Sequence, residues 1–306
     1  PVQVLVGVTP LVARTVKVGA MTTCAIDPAH RLYCWGANSY GQVALPTNAP
    51  SLVIQPEPVA GFGPFFLTAE ATAGVVAPGF THTCFTRTDP FYTDNPRAHC
   101  VGNNVVGQLG NGTTSTNNRY WSLTGYPPSP TYAHVLTTAA HLAVDGMTTC
   151  AVRTNGQGYC WGDNGDYQVG SSTAPNPTLS PRYVSGLPAG TVELHMSGYG
   201  VHALNSNGRI YGWGKNMSGS LGLGSGTSYS YTAVQVPVVS GVATMGAGSL
   251  HTCVVRTDGT AWCYGSNDYG ALGSPGAPNP SWDAVPVYDP YACANLDPDG
   301  DGVDSC

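Results

Sequence analysis

Short β-prone runs alternate with turn residues along the whole chain. Between Thr148 and Asn164 the runs Val152-Arg153-Thr154 and Gly158-Tyr159-Cys160-Trp161 flank Asn155-Gly156, a pattern that predicts a β-hairpin. The same pattern recurs around Cys24 and Cys34, Cys84 and Cys100, and Cys253 and Cys263, and once around His202 and Gly212. Cys150 and Cys160 are ten apart, so pairing centres on Asn155. That leaves an odd-length loop, as a type I turn followed by a left-handed glycine provides. The two cysteines then face each other across antiparallel strands, with Cα atoms about 4.5 Å apart and within disulfide reach. Cys84 and Cys100 are sixteen apart, and their loop of six more residues keeps the facing register. The copy at His202 and Gly212 has lost both cysteines together, as expected if each needs the other. Each bridge that closes about eleven residues would contribute about 3 kcal/mol by loop-entropy reasoning.

A second signature follows each hairpin: Gly41-Gln42-Val43-Ala44, Gly107-Gln108-Leu109-Gly110, Tyr167-Gln168-Val169-Gly170, Gly219-Ser220-Leu221-Gly222 and Gly270-Ala271-Leu272-Gly273. Then come a variable Ser/Thr/Asn/Pro-rich loop and an apolar strand such as Ala233 to Val239. The first-cysteine positions 24, 84, 150, 202 and 253 lie 60, 66, 52 and 51 apart. A period of this size with about four short strands per unit predicts a propeller or solenoid of β-blades, each needing its neighbours to bury both faces. The runs Val2 to Val6 and Asp283 to Val287 resemble the strand at Val234 to Val239. The chain therefore has six such strands for five hairpins. Either the two terminal segments share a closing blade, or one strand is spare and free to pair with another chain.

Composition narrows the class. Charged residues are 9% of the 306, with 40 glycines and 25 prolines, which suits turns and strands and disfavours an α-rich fold. Net charge is −6, with four aspartates in the last ten residues and no basic stripe, so nucleic-acid binding is disfavoured. Ten cysteines in five local pairs, without a Cys-x-x-Cys knuckle, argue for disulfides and an oxidising compartment over metal ligation. The chain starts at Pro1, which fits a processed secreted protein at the cell surface or outside the cell, and no apolar run reaches the length of a membrane span.

The residues His82-Thr83-Cys84, His251-Thr252-Cys253, Trp161-Gly162-Asp163-Asn164 and Gly107-Gln108-Leu109-Gly110 carry a family resemblance. The pattern resembles the regulator of chromosome condensation repeat over about residues 1 to 290. The resemblance implies an all-β propeller. It departs in two ways: well-known members have seven blades where five repeats are visible, and the cysteine pairing looks like a secreted bacterial branch and not the nuclear exchange factor.

Residues 291 to 306 form a separate Asp-rich tail. Asp297, Asp299 and Asp301 with Gly302 match the start of a calcium loop, because alternate carboxylates converge on one hard cation and the glycine allows a sharp turn. The stretch resembles thrombospondin type 3 repeats, although Asp304 falls one position early. Cys293 and Cys306 are expected to bridge around it. A solvated acidic tail is the competing reading.

His82 and His251 share one repeat position, and blade packing is the favoured reading over a metal or acid–base pair. Enzyme motifs are missing: there is no Gly-x-Ser-x-Gly elbow, dinucleotide fingerprint or phosphate loop, so a non-catalytic protein is expected. Aromatic residues in the variable loops, among them Tyr120, Trp121, Tyr229 and Tyr231, are candidate interface residues. The terminal run Val2, Val4 and Val6 is the other candidate. The expectation is a secreted propeller that binds protein or glycan. The alternative is a structural subunit of an extracellular assembly, with a homo-oligomer as one form. An inhibitor-like role or an enzyme ranks below these, and a nuclear exchange factor last.

Overall fold

The computed structural model describes residues 3–7, 9–45, 49–59, 76–87, 96–115, 136–237 and 239–288. The tail with Cys293, Asp297, Asp299, Asp301, Asp304 and Cys306 lies outside these residues, as do Val2, Tyr120 and Trp121. A two-stranded hairpin, β1 (Leu5–Val6) and β2 (Thr9–Pro10), precedes the blades. Blade 1 is β3 (Thr15–Val18), β4 (Thr22–Ile26), β5 (Leu32–Ala37) and β6 (Leu52–Pro58). Blade 2 shows β7 (Val76–Pro78), β8 (His82–Arg87) and β9 (Arg97–Gly102) among the described residues. Blade 3 is β10 (Ala139–Asp145), β11 (Thr148–Arg153), β12 (Gly158–Gly162) and β13 (Thr178–Tyr183). Blade 4 is β14 (Thr191–Ser197), β15 (Gly200–Asn205), β16 (Ile210–Lys215) and β17 (Tyr229–Gln235). Blade 5 is β18 (Val242–Ala247), β19 (His251–Arg256), β20 (Ala261–Gly265) and β21 (Ser281–Pro286). Every pairing is antiparallel, and no helix of the described residues is long and apolar enough to cross a membrane.

The hairpin register explains the cysteines. Cys24 faces Cys34, Cys84 faces Cys100, Cys150 faces Cys160 and Cys253 faces Cys263, with Cα atoms 4.1–4.2 Å apart and each pair joined by a disulfide. His202 faces Gly212 at the same point of blade 4. The blade 3 turn closes between Arg153 and Gln157, with Gly156 at φ +77° donating its N–H to the Arg153 carbonyl at 2.8 Å. In blade 1 His30 takes the corresponding left-handed position at φ +60°, a region that His tolerates better than most side chains.

Two side-chain devices turn the repeat signature into packing. The asparagine of Trp-Gly-x-Asn is a clip. Asn38, Asn104, Asn164, Asn216 and Asn267 each accept, through Oδ1, the backbone N–H five residues on, at 2.9–3.3 Å. Their Nδ2 groups donate to carbonyls across the loop, such as Thr113 at 2.9 Å and Thr227 at 2.8 Å. The second device joins blades. Trp161 Nε1 donates to the Gln108 carbonyl at 2.9 Å, and Trp213 Nε1 to the Gln168 carbonyl at 2.8 Å. Thr149 and Thr252 hydroxyls donate to the Gln108 and Ser220 carbonyls at 2.9 and 3.1 Å. Blades 3, 4 and 5 thereby each satisfy a buried carbonyl of the blade before them.

Apolar burial follows the same order. The inner strand of each blade lies against its predecessor: β7 on β3 and β4, β10 on β7 and β8, β14 on β10 and β11, β18 on β14 and β15. Trp161, Trp213 and Tyr264 are fully buried in these seams. A shared closing blade, one of the two alternatives for the terminal runs, is not formed by the described residues of the N-terminal run. β1 pairs with β2 in its own hairpin beside β6, and the Leu11 N–H is bonded to the Val4 carbonyl at 2.9 Å. Asp283 and its neighbours in β21 supply the outer strand of blade 5 unaided. The short run at Val4 to Val6 folds back on itself at Gly7, φ +61°, before a full strand can form.

Candidate functional site

The turns between the first and second strands of the blades all emerge at one end of the propeller. One backbone bond makes them equivalent. The N–H groups of Ala37, Asn103, Asp163, Lys215 and Ser266 donate to the carbonyls of Met21, Thr81, Met147, Tyr199 and Leu250 at 2.8–3.0 Å. The glycine of each Trp-Gly pair permits this closeness. At Gly36 (φ +111°) and Gly162 (φ +99°) a Cβ would collide with the Met21 and Met147 carbonyls. The turn tips are therefore held rigidly, yet they carry apolar side chains. At this position Met21, Met147 and Tyr199 are exposed and Leu250 is half-buried, while blade 2 buries Thr81 there and exposes the preceding Phe80. Single exposed apolar residues are ordinary, but one equivalent position repeated round an end makes a patch of the kind that protein partners cover. Methionine suits such a surface because its side chain adapts to what it meets.

Blade 4 adds a polar corner to this rim. Lys215 Nζ is 3.4 Å from Asp166 of blade 3 and lies 5.2 Å over the Tyr199 ring and 5.8 Å over the Tyr229 ring. Its pKa is raised, first by the hydrogen bond it donates to Asp166 and then by that carboxylate's charge, so it stays cationic. Tyr167 stands where Gly41, Gly107, Gly219 and Gly270 stand in the other signatures, and it keeps their left-handed backbone at φ +64°. That conformation costs a non-glycine residue about 1–2 kcal/mol. In return the ring meets Tyr229 edge-on at 5.5 Å and Tyr231 at 4.4 Å. The neighbouring Tyr231 phenol raises the Tyr167 pKa.

Of the candidate interface residues, Tyr229 and Tyr231 are exposed beside this corner, although Tyr231 also packs across the seam onto Tyr167. Val4 and Val6 lie away from the rim, and Val6 lines an open groove of about 440 Å3 with Leu11, Arg31 and Tyr33. The two repeated histidines are not brought together. His82 is fully buried, and its Nε2 is 2.7 Å from the Thr149 hydroxyl of blade 3. Burial lowers its pKa to about 3, so the ring is neutral and acts as a seam residue. His251 sits half-buried in blade 5. Among the described residues no group of three or more His, Cys, Asp or Glu is placed to hold a metal. The rim itself was not singled out from sequence, although the repeated Met-Thr-Thr-Cys at 21–24 and 147–150 marks it.

Comparison with known proteins agrees with the fold. Family models described as the regulator of chromosome condensation (RCC1) repeat match residues 14–42, 207–255 and 242–271. The chain is 26% identical over 181 residues to human HERC6, a probable E3 ubiquitin-protein ligase, spanning 58% of this chain and 17% of HERC6. It is 28% identical over 141 residues to RUG3, a mitochondrial RCC1 domain-containing protein of Arabidopsis thaliana, spanning 44% of this chain and 32% of RUG3. The chain thus spans a third or less of the length of these relatives. Human WBSCR16 superposes with a TM-score of 0.69 at 18% identity, over 90% of this chain and 67% of that one. Prp20p of Saccharomyces cerevisiae superposes at 0.60 with 16% identity, over 90% of this chain and 77% of that one. The chain is an all-β propeller that carries regulator of chromosome condensation repeats.

Proposed function

We propose that this propeller is a non-catalytic scaffold that captures a protein partner on its apolar turn rim. The carrying observation is the equivalent position in the first-to-second-strand turns, exposed at Met21, Met147 and Tyr199 and half-buried at Leu250, with Phe80 exposed one residue before the buried Thr81 of blade 2. Propellers of this repeat serve as protein-binding scaffolds. Prp20p was described together with its binding to Gsp1p and histones, and yeast RCC1 (Prp20) with Kap60 bound to it. A protein fits the rim better than a glycan, because sugar hydroxyls need hydrogen-bond partners that Met, Phe and Leu do not offer. Lys215, held by Asp166 and two tyrosines, would fix the partner's orientation.

Secretion belongs to the same proposal, and the four bridged hairpins support it, since such bonds persist in oxidising surroundings. Calcium binding by Asp297, Asp299, Asp301 and Asp304 is proposed on the loop spacing alone. The test of the rim is a partner captured through a photo-cross-linker at position 147, with the complex then reassembled from purified components. Met21→Ser with Tyr199→Ser should weaken that complex at least tenfold while leaving the thermal midpoint unchanged. Undiminished binding by a folded double variant would remove the rim from the interface.

A further inference from the structure

The five signature loops are copies of one another, so together they show what the loop needs in order to fold and what one copy adds. Four of them place a glycine at the left-handed first position: Gly41, Gly107, Gly219 and Gly270, at φ +71 to +78°. Blade 3 places Tyr167 there, at φ +64°. Glycine adopts this backbone freely, so folding gives no reason for a tyrosine. The ring contacts with Tyr229 and Tyr231 are of the same order as the strain. Backbone strain of this kind collects where a ligand is held. Other positions of the same seam depart from the repeat together. Tyr229 and Tyr231 of blade 4 stand where blade 3 has Pro177 and Leu179, and blade 5 has Pro280 and Trp282. Lys215 takes the place of Ala37, Asn103, Asp163 and Ser266, the residues after the Trp-Gly glycine in the other blades. The result is four tyrosines and a lysine across one seam, with Tyr199, Tyr229 and Tyr231 each 39–49% exposed. All of them lie inside the continuous stretch 136–237, with the chain on both sides of each in place.

The polar atoms decide the ligand. The acceptor side chains nearby are each engaged by the fold. Asp166 Oδ1 holds Lys215 Nζ at 3.4 Å, Asp163 Oδ1 accepts the Gly165 N–H at 3.3 Å, and Asn176 Oδ1 accepts the Asn164 N–H at 2.9 Å. What remains to meet a ligand is Lys215, which only donates, and tyrosine phenols beside flat aromatic faces. A proline-rich chain complements such a surface. Its rings are apolar and pack on aromatic faces, its carbonyls accept, and its prolines bring no N–H that would need an acceptor. In the polyproline II form it has no internal hydrogen bonds, so those carbonyls are free, and the chain is already extended before it binds. A glycan would bring a donor with every hydroxyl to a surface whose acceptors are engaged.

We infer that the corner formed by Tyr167, Tyr199, Lys215, Tyr229 and Tyr231 binds a proline-rich segment of a protein partner in the polyproline II form. The inference rests on the reading of the rim as a protein-binding surface, of which this corner is the edge, and it names the chemistry of the segment seated there. Proline rings pack on Tyr229 and Tyr231. Tyr167 is a positioning residue that holds those two rings across the seam. Lys215, fixed by Asp166, donates to a carbonyl of the segment.

Retention of the full 306-residue chain on immobilised poly-L-proline tests this. The wild-type chain should be retained, should elute with free poly-L-proline, and should pass through an immobilised glycine-serine peptide or dextran. Tyr231→Ala and Tyr167→Gly should each weaken retention about tenfold or more, as the loss of an aromatic anchor does. Tyr167→Gly restores the residue of the other four signatures, so its thermal midpoint should match that of the wild type. A wild-type chain that passes through poly-L-proline overturns the inference. If the cross-linker at position 147 still captures a protein in that case, the rim reading stands without it. Retention on poly-L-proline without capture at position 147 supports the corner and removes the rest of the rim. Full retention of both variants overturns the inference, and so does a lowered midpoint in Tyr167→Gly, which would make the ring part of the fold. Retention on dextran as strong as on poly-L-proline overturns it in favour of a glycan.

Discussion

At the scale of single residues, buried polar groups hold the repeat together. The asparagine clips are the plainest case. Asn216, itself buried, accepts the Leu221 N–H at 2.9 Å and donates to the Thr227 carbonyl at 2.8 Å across a partly exposed loop. Asn216→Ala leaves both partners unpaired and should cost about 2–3 kcal/mol, read from the urea midpoint. Asp at that position keeps the acceptor and should recover part of the loss. Buried histidines give a pH signature. Burial holds His82 and His202 at about 3 and His141 at about 4, against 6.5 for an unfolded chain. Between those values the unfolded state binds more protons. Stability from these rings is therefore complete above about pH 6.5 and falls as the pH drops toward 3–4, by about 1.4 kcal/mol per pH unit per fully buried ring. Stability measured from pH 7 to 5 should fall less steeply in His82→Asn than in the wild-type protein. Equal slopes would mean that His82 is not buried in its neutral form.

At the scale of elements, the hairpin is the unit that the chain repeats. Four hairpins are bridged and the fifth is not. The pair His202 and Gly212 sits in the same register as the bridged cysteines. His202→Cys with Gly212→Cys should therefore close a fifth bridge and add up to about 3 kcal/mol under oxidising conditions. The converse change, Cys150→Ala with Cys160→Ala, should remove about 2–4 kcal/mol. Both are read as shifts in the urea midpoint that vanish for the added bridge when it is reduced. The hairpins were legible because the facing register is written in the ten-residue cysteine spacing and the Asn155-Gly156 type of turn. The signatures after them were legible as repeats, but their work was not. Sequence shows that Asn164 recurs, while only the coordinates show its amide spanning a loop to Ala174. Tyr167 was likewise read as one more signature residue. Its left-handed backbone and its contacts with Tyr229 and Tyr231 depend on a neighbouring blade.

At the scale of the whole molecule, order along the chain becomes order around the propeller, since blades 2 to 5 each lay an inner strand on the blade before and blades 3 to 5 also satisfy one of its carbonyls. Five repeats were legible from the period, and each corresponds to a blade among the described residues. The different burial of equivalent strand positions was not legible, because Val16, which is 54% exposed, and Leu142, which is 3% exposed, look alike in sequence. The N-terminal run misled for the opposite reason: its apolar pattern fits an outer strand, but Gly7 turns it into a hairpin. The candidate rim was only half legible, since exposed turn residues carry no periodic pattern of their own. The tail stands apart from these seams as a sequence motif. Calcium at several millimolar should slow proteolysis near Asp297, and Asp299→Asn with Asp301→Asn should abolish that effect.

The most direct test of the rim is hydrogen exchange on the propeller with its captured protein partner, compared with the propeller alone. The two ends of each blade serve as mutual controls. A partner seated on the rim should slow exchange in the segments around Met21, Phe80, Met147 and Tyr199, and leave the opposite turns around Gly156, Gly208 and Gly259 unchanged. Slowed exchange confined to those opposite turns, with the rim segments exchanging as in the free protein, would contradict it.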